Sequence, residues 1–172
     1  MAQELKVGDS FPENVTFTYV APTGELDLTA CGLPIKYNAS EEFKNKKVVL
    51  VAVPGAFTPT CQVQHVTSYL AKLDELKAKG VDQVIFIASN DHWVMAAWGK
   101  ANGVKDDSIL TQSQLFMSDA GLEFSKSIGW IQGDRTQRYA IIVDHGKVVY
   151  ADADNVRGSI EKSGAEGVLS KL

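Results

Sequence analysis

The segment VVLVAVPGAFTPTC, residues 48–61, constrains the fold more than any other part of the chain. Val48 to Val53 is a run of six apolar residues without polar alternation, which is typical of a strand covered on both faces in the middle of an α/β sheet. A Pro-Gly pair ends that strand, and Thr58 then precedes a proline. A hydroxyl residue followed by proline is a preferred helix opening. The segment therefore predicts a buried strand that leads into a helix, with Cys61 in the first helical turn.

Cys61 is the candidate nucleophile of this chain. A thiol in the first turn of a helix faces unpaired backbone N–H groups and the positive end of the helix dipole, and both favour the reactive thiolate. The alternative is that Cys61 only packs in the core, because cysteine is among the residues most often buried. The expected cap, the proline and the buried strand before it favour the chemical interpretation.

Composition bounds the class of protein. A chain of 172 residues with 45% hydrophobic residues fits one domain over residues 1–172 with a full core. The net charge of −4 and the lack of a long basic run argue against nucleic acid and anionic membranes as partners. No signal pattern or membrane-length apolar run is present, so we expect a soluble intracellular protein without membrane insertion. Its two cysteines do not make a disulfide scaffold and are either inert or redox-active.

The rest of the chain alternates strand and helix patterns. After the first strand, the pattern predicts in order a helix over Pro59–Lys79, a strand over Gln83–Ser89, a helix over His92–Ala101, a strand over Gln114–Met117, a helix over Asp119–Ile128, strands over Tyr139–Val143 and Lys147–Ala151, and a final helix within Ser159–Leu172. Asp144-His145-Gly146 predicts the turn of a hairpin between the last two strands. Parallel units closed by a hairpin and a helix predict an α/β, thioredoxin-like fold with a mixed central sheet flanked by helices.

Residues 1–47 are the least regular part and predict a peripheral β extension. Short alternating pieces between glycines and prolines favour a hairpin or meander with Cys31 in or near a loop. Asn38 or Ser40 is expected to cap a short helix over Glu41 to Lys46.

The stretch PGAFTPTC, with Pro54, Thr58 and Cys61, resembles the active-site motif of the peroxiredoxins in the form typical of the peroxiredoxin-five group. The stretch from Gln137 to Ala151 is similar to the second signature of that group, in which Arg138 is the matching arginine. Similarity extends through VDQVIFIASND and FSKSIGW and so covers nearly the whole chain. Within the group it looks closest to fungal peroxisomal-type and alkyl-hydroperoxide-reductase-type thioredoxin peroxidases.

The resemblance implies a thiol peroxidase that reduces hydrogen peroxide and alkyl hydroperoxides. Cys61 would attack one peroxide oxygen and become a sulfenic acid, while Arg138 would hold the thiolate and polarise the peroxide. The strand after Arg138 is expected to run antiparallel to the first buried strand and so to begin beside Cys61. The Thr58 hydroxyl would hydrogen-bond the thiolate or the peroxide, in competition with capping. Pro54 would wall the pocket, although a purely structural proline predicts the same sequence.

The resemblance also implies a role for Cys31. It would be the resolving cysteine, pairing with Cys61 of the other subunit in a homodimer, and thioredoxin would reduce the disulfide. The sequence leaves two alternatives open. Cys31 is a passive loop residue in a one-cysteine peroxidase recycled by glutathione or another thiol, or the chain is a redox-signalling or holdase protein with Cys61 as its sensor.

Other polar residues are interpreted more simply. His65 follows Cys61 by four residues, so its ring could reach the thiol in an orienting role or could merely pack beneath the pocket. The two cysteines and three histidines show no ligand spacing, so we expect no metal and no cofactor. The chain has only three arginines, Arg135, Arg138 and Arg157, which makes each position worth examining.

The chain ends in Ser170-Lys171-Leu172, which matches the peroxisomal address SKL. The alternative is that the last helix merely ends in these residues, with Leu172 packed down, in a cytoplasmic enzyme. We expect a peroxisomal protein, a cytoplasmic one, or both pools.

Overall fold

The computed structural model describes residues 2–104 and 114–172. The strands are β1 Thr16–Val20, β2 Pro34–Asn38, β3 Lys47–Ala52, β4 Gln83–Ala88, β5 Gln114–Ser118, β6 Ile131–Gln132, β7 Arg135–Thr136, β8 Arg138–Asp144 and β9 Lys147–Asp154. The α-helices are α1 Ala39–Glu42, α2 Thr67–Ala71, α3 Leu73–Ala78, α4 His92–Ala101, α5 Glu123–Ser127 and α6 Ala165–Leu169. A π-helix spans Thr60–Val66, and short 3₁₀ turns span Phe43–Asn45 and Ala120–Leu122.

The central sheet has seven strands in the order β2-β1-β5-β4-β3-β8-β9. The strands β3, β4 and β5 are parallel, and β8 pairs antiparallel with β3. This confirms the mixed, thioredoxin-like α/β sheet predicted from the alternation. The short strands β6 and β7 form a separate two-stranded ribbon, which the sequence pattern did not predict.

The first buried strand packs on both faces, as its apolar run predicts. Val48 and Leu50 belong to one core cluster, and Val49 and Val51 belong to another on the opposite face of the sheet. All four side chains are fully buried. Successive side chains of a strand point to opposite faces of the sheet. Because both faces of this strand are buried, every position has to be apolar, and an alternating polar pattern would bury polar side chains on one face.

The N-terminal part joins the main sheet instead of standing apart from it. The strands β1 and β2 form an antiparallel hairpin, and β1 also pairs with β5 through Thr18 and Ser118. Cys31 lies in the loop between β1 and β2, as expected. The Asn38 side chain accepts a hydrogen bond from the Glu41 backbone N–H and caps α1, which confirms one of the two predicted caps.

Three predicted helices are shorter or more broken than expected. The helix over Pro59–Lys79 is wrong as a single element, because Lys72 has φ −119° and separates α2 from α3. The helix over Asp119–Ile128 is wrong in its first turn, since Gly121 has φ 66° and the Asp119 carboxylate instead accepts from the backbone of Phe124 at 3.0 Å. The final helix is confined to α6.

The C-terminal tail packs back on the domain. Leu169 and Leu172 are partly buried against the core cluster on one face of the sheet. The ammonium group of Lys171 lies 5.9 Å from the centre of the Tyr150 ring, within the range of a cation–π contact. Ser170 and Lys171 are exposed. No helix in the described part of the chain is long and apolar enough to cross a membrane.

Candidate active site

An open cleft of about 780 Å³ lies at the carboxyl end of β3. One wall is the segment that follows β3, with Pro54, Thr58 and Cys61. Arg138 lines the same cleft, together with the segment 154–158 that follows β9. The register explains the meeting: β8 runs antiparallel to β3 with Tyr139 opposite Ala52, so Arg138 comes just beyond the last paired residue of β3. This is the placement that the sequence argument expects.

The loop after β3 is held in a tight turn. Phe57 adopts a left-handed conformation with φ 60°, and the backbone N–H of Ala56 donates to the Asn90 side chain at 2.9 Å. The Thr58 hydroxyl donates to the Gly55 carbonyl at 2.7 Å. In the described part of the chain, no side chain caps the π-helix that follows. The predicted side-chain cap by Thr58 is therefore wrong, because the turn directs its hydroxyl hydrogen toward Gly55, and oxygen lone pairs remain to accept from another donor.

Cys61 and Arg138 are in direct contact. Nη2 of Arg138 donates to Sγ of Cys61 at 3.3 Å, and both residues are buried, with 1% and 8% of their surfaces exposed. A permanently charged donor that is buried together with its acceptor interacts strongly with an anion. The arrangement can therefore hold a sulfur anion and place positive charge beside any group that reacts with it.

The His65 ring is fixed as the neutral tautomer that accepts at Nδ1. Nη1 of Arg138 lies 2.9 Å from Nδ1 of His65, and an arginine can only donate. Nε2 lies 2.9 Å from the Ser163 carbonyl oxygen, which can only accept. Burial lowers the pKa of His65 to about 4; the hydrogen bond to Ser163 opposes this change and the charge of Arg138 adds to it. His65 is thus an acceptor for Arg138 and does not act as a base for Cys61.

Sequence reasoning missed Ser163 and Asp154, which continue this network. The Ser163 hydroxyl donates to the Asp154 carboxylate at 2.5 Å, and the Ser163 backbone N–H donates to the same oxygen at 3.0 Å. Although burial raises the pKa of Asp154, hydrogen bonds from Ser163, Lys162 and Ser159 lower it overall. Hydrogen bonds therefore run without a break from Cys61 through Arg138, His65 and Ser163 to a carboxylate at the end of β9.

Cys31 lies elsewhere. It is exposed and lines a second cavity between the β1–β2 loop and α4. Lys100 of α4 donates to the carbonyl oxygens of Asp27 and Ala30, each at 2.9 Å, and Trp93 Nε1 donates to that of Gly32 at 3.2 Å. The structure thus brings Cys61, Arg138 and His65 together, places Pro54 and Thr58 around the same cleft, and holds Cys31 in a separate loop.

Within residues 2–104 and 114–172, no cluster of three or more histidine, cysteine or acidic side chains is arranged to hold a metal ion.

Comparison with known proteins identifies the class. The family model described as Redoxin matches residues 6–169. The chain is 63% identical over 168 residues to Peroxiredoxin AHP1 of Chaetomium thermophilum, covering 98% of this chain and 95% of that protein. It is 46% identical over 171 residues to a protein of Lipomyces kononenkoae named putative peroxisomal peroxiredoxin, covering 95% and 99%. Its structure is similar to that of reduced Prx3 in complex with H₂O₂ from Vibrio vulnificus, with a TM-score of 0.79, 35% identity, and coverage of 96% and 98%.

Fold and site together define a thiol enzyme built on a thioredoxin-like sheet. The chain belongs to the Redoxin family, and within it to the peroxiredoxins, which are peroxidases of the oxidoreductase class.

Proposed function

We propose that this peroxiredoxin reduces hydrogen peroxide and alkyl hydroperoxides through a sulfenic acid on Cys61. The observation that carries the proposal is the hydrogen bond from Arg138 Nη2 to Cys61 Sγ at 3.3 Å. A thiolate is the nucleophilic form of cysteine, and a neighbouring guanidinium stabilises it. Among the described residues, Arg138 is the charged group that the structure places on this sulfur.

The chemical step is an attack of the Cys61 thiolate on the terminal peroxide oxygen. The S–O bond forms as the O–O bond breaks, so Cys61 is oxidised to a sulfenic acid and the peroxide leaves as an alkoxide or hydroxide that takes a proton from solvent. Arg138 faces the negative charge as it moves from sulfur to the leaving oxygen, which is the condition for electrostatic catalysis.

Thr58 and Pro54 complete the pocket in this proposal. The Thr58 hydroxyl already donates to Gly55, so its oxygen is free to accept a hydrogen bond from the peroxide O–H. Pro54 offers no backbone N–H and walls the cleft beside it. Both residues orient the substrate and neither exchanges electrons with it.

His65 is a positioning residue. Its Nδ1 accepts from Nη1 of Arg138, which fixes the plane of the guanidinium and leaves Nη2 directed at the sulfur. Because His65 stays neutral over the physiological range, it does not add a second positive charge against Arg138.

For recycling, we propose that Cys31 of a partner subunit attacks the Cys61 sulfenic acid within a homodimer and that thioredoxin reduces the resulting disulfide. The two thiols line separate cavities in one chain, and this separation supports an intermolecular bond. Cys61 is buried, so the π-helix that holds it must open. A π-helix is a rare form that occurs frequently at functional sites.

We also propose a peroxisomal location for at least part of the protein. The support is the C-terminal SKL, a receptor-read address, together with the Lipomyces relative named putative peroxisomal peroxiredoxin. Ser170 and Lys171 are exposed, whereas Leu172 is half-buried, so a receptor has to lift Leu172 from the domain. Imaging of the tagged full chain against a variant without Leu172 tests the proposal; unchanged diffuse fluorescence for both would contradict it.

The proposed function is tested by adding one equivalent of hydrogen peroxide to the reduced protein and running a non-reducing gel. We expect a disulfide-linked dimer that disappears in Cys31→Ser and in Cys61→Ser. If the wild-type protein consumes peroxide but stays monomeric on the gel, an external thiol and not Cys31 resolves the sulfenic acid. Unconsumed peroxide would overturn the peroxidase proposal itself.

A further inference from the structure

All three arginines of the chain line the cleft that holds Cys61. The overall charge is −4, so this concentration of guanidinium groups is opposite in sign to the molecule as a whole. Arg138 contacts the sulfur at the base of the cleft. Arg135 and Arg157 are exposed at its mouth, and the proposed attack on a peroxide bond uses neither of them.

Arg135 and Arg157 reach the same cleft as Cys61 from different elements. Arg135 begins β7, and the hydroxyl of the next residue, Thr136, donates to the Val53 carbonyl at 2.7 Å, which ties this ribbon to the end of β3. A Cβ atom added to Gly55 would lie 3.5 Å from Nη1 of Arg135, so this guanidinium lies over the Pro54–Thr58 turn. Arg157 follows β9 in the segment 154–158, which also lines the cleft.

Neither guanidinium has a partner in the part of the chain that is described. Within residues 2–104 and 114–172, no ion pair or hydrogen bond engages the side chain of Arg135 or Arg157. Among the described residues that line the cleft, Asp154 is the one carboxylate, and its oxygens already accept from Ser159, Lys162 and Ser163. The mouth of the cleft therefore carries two uncompensated positive charges that face the substrate space.

The cleft is large enough for an organic substrate. A water molecule occupies about 30 Å³ in the liquid, so hydrogen peroxide needs roughly twice that volume. The cleft of about 780 Å³ is instead in the range of pockets for small organic ligands. A substrate that fills it has room for a peroxide at the base and a second functional group at the mouth.

We propose that the preferred substrates are organic hydroperoxides that carry a carboxylate, with the peroxide at Cys61 and Arg138 and the carboxylate between Arg135 and Arg157. Guanidinium groups bind carboxylates with well-matched hydrogen-bonding geometry. A positive cleft also raises the local concentration of anionic substrates and their association rates. The chemical step is unchanged: Cys61 is oxidised to the sulfenic acid, the hydroperoxide becomes the alcohol, and the carboxylate stays intact. This inference rests on the proposed role of Cys61.

The test compares two substrates that differ in one charge. One is a tert-butyl hydroperoxide analogue with a methyl group replaced by a propionate arm, and the other is its methyl ester. The second-order rate constant for oxidation of reduced protein is measured by stopped flow for each. We expect the acid to react about tenfold faster than the ester at low salt, and this ratio to fall as ionic strength rises. Equal rates for acid and ester would overturn the inference.

Variants assign the preference to the two arginines. We expect Arg135→Gln and Arg157→Gln each to lower the acid-to-ester ratio about threefold, in line with an exposed charge pair, and the double variant to bring it close to one. Arg157→Lys keeps the charge and is expected to restore most of the ratio. Lys77→Gln, on an exposed face of α3, removes the same charge away from the cleft and is expected to leave the ratio unchanged. A ratio that falls equally in Lys77→Gln would contradict a site at the cleft.

Two further outcomes separate the possible explanations. If wild-type protein fails to react with hydrogen peroxide, the proposed function itself is wrong. If hydrogen peroxide is reduced but Arg135→Gln and Arg157→Gln slow only the reduction of the disulfide by thioredoxin, the arginines bind an acidic protein surface and the carboxylate proposal is overturned.

Discussion

Arg138 contacts Cys61 and His65 at the same time, with Nη2 donating to Sγ at 3.3 Å and Nη1 donating to Nδ1 at 2.9 Å. The fork of the guanidinium is what allows one side chain to join the sulfur to the buried network. A lysine at this position has the charge but not the planar pair of donors. Replacing Arg138 by lysine therefore tests separately how much the charge and the orientation of the donors contribute to the reaction rate.

We expect Arg138→Lys to lower the second-order rate constant for hydrogen peroxide at least tenfold, and Arg138→Met to lower it about 100-fold or more, as for removal of a donor that faces transition-state charge. Stopped-flow oxidation of reduced protein measures both. Loss of the donor to His65 also leaves a buried acceptor unpaired, which lowers the free energy of unfolding by about 1–3 kcal/mol. A thermal melt of each variant therefore checks that the protein is folded where its rate is measured. A full rate in Arg138→Lys would show that the fork is not needed.

The buried His65 ring predicts the pH dependence of stability. Its pKa is lowered from 6.5 to about 4 in the folded protein, so the unfolded chain binds the proton first. The stability from neutral His65 is complete above pH 6.5 and is lost as the pH falls toward 4. The loss amounts to about 3 kcal/mol over that window at 1.36 kcal/mol per pH unit.

Urea unfolding of the reduced protein at a series of pH values measures this change. His65→Gln, which keeps an amide acceptor for Arg138, is the matched variant and is expected to lack this component. All other titratable groups are the same in the two proteins and cancel in the comparison. Parallel pH profiles for the two proteins would rule out His65 as the source.

Asp154 and Asp152 provide a matched pair on β9. Asp154 accepts from two backbone N–H groups and two hydroxyls, whereas Asp152 forms an exposed ion pair with Lys162. We expect Asp154→Asn to cost about 2 kcal/mol of unfolding free energy, because an amide nitrogen cannot accept from these donors. Asp152→Asn is expected to cost less than about 1 kcal/mol.

A kinetic readout separates the network from general stability. If Asp154 orients His65 and Arg138 through Ser163, Asp154→Asn is expected to slow the reaction with hydrogen peroxide several-fold under conditions where the protein is fully folded. Asp152→Asn keeps the wild-type rate. An unchanged rate in Asp154→Asn would limit Asp154 to a structural role.

The loop of Cys31 gives a prediction about resolution. Lys100 donates to the carbonyl oxygens of Asp27 and Ala30 and so restricts the loop with the thiol exposed. We expect Lys100→Met to slow formation of the disulfide about threefold, because a disordered loop must pay ordering entropy at that step. Lys126→Met, which also removes a lysine bound to a backbone carbonyl, is the control. Quenched time points on a non-reducing gel measure both, and faster disulfide formation in Lys100→Met would contradict the prediction.

Much of the fold could be predicted because its signals are local. The apolar run from Val48 to Val53 specifies a buried strand, and the helix over His92–Ala101 occurs with the bounds expected from its pattern. The long helix after Cys61 was predicted wrongly because periodicity is an average over many residues. A single residue outside helical geometry, Lys72, breaks the helix without disturbing the apolar stripe.

The sequence motif and the expected strand directions predict only part of the site. Cys61 and Arg138 follow from both, but Asp154 does not. Counting back from the turn pair Asp144 and Lys147 would place Ala153 opposite Arg138, whereas a bulge between Ile142 and Val143 shifts the register and puts Asp154 there. Such a bulge depends on packing along the whole strand. Asp154 in turn holds the backbone of Lys162 and Ser163, which explains why the final helix begins only at Ala165.

The central claim is that Cys61 is the thiol that peroxide oxidises. Reduced Cys31→Ser protein is mixed with one equivalent of hydrogen peroxide in the presence of dimedone, and its peptides are analysed by mass spectrometry. We expect a dimedone adduct on the peptide that contains Cys61, with peroxide consumed in equal amount. An unmodified Cys61 peptide, or undiminished peroxide consumption by Cys61→Ser protein, would contradict it.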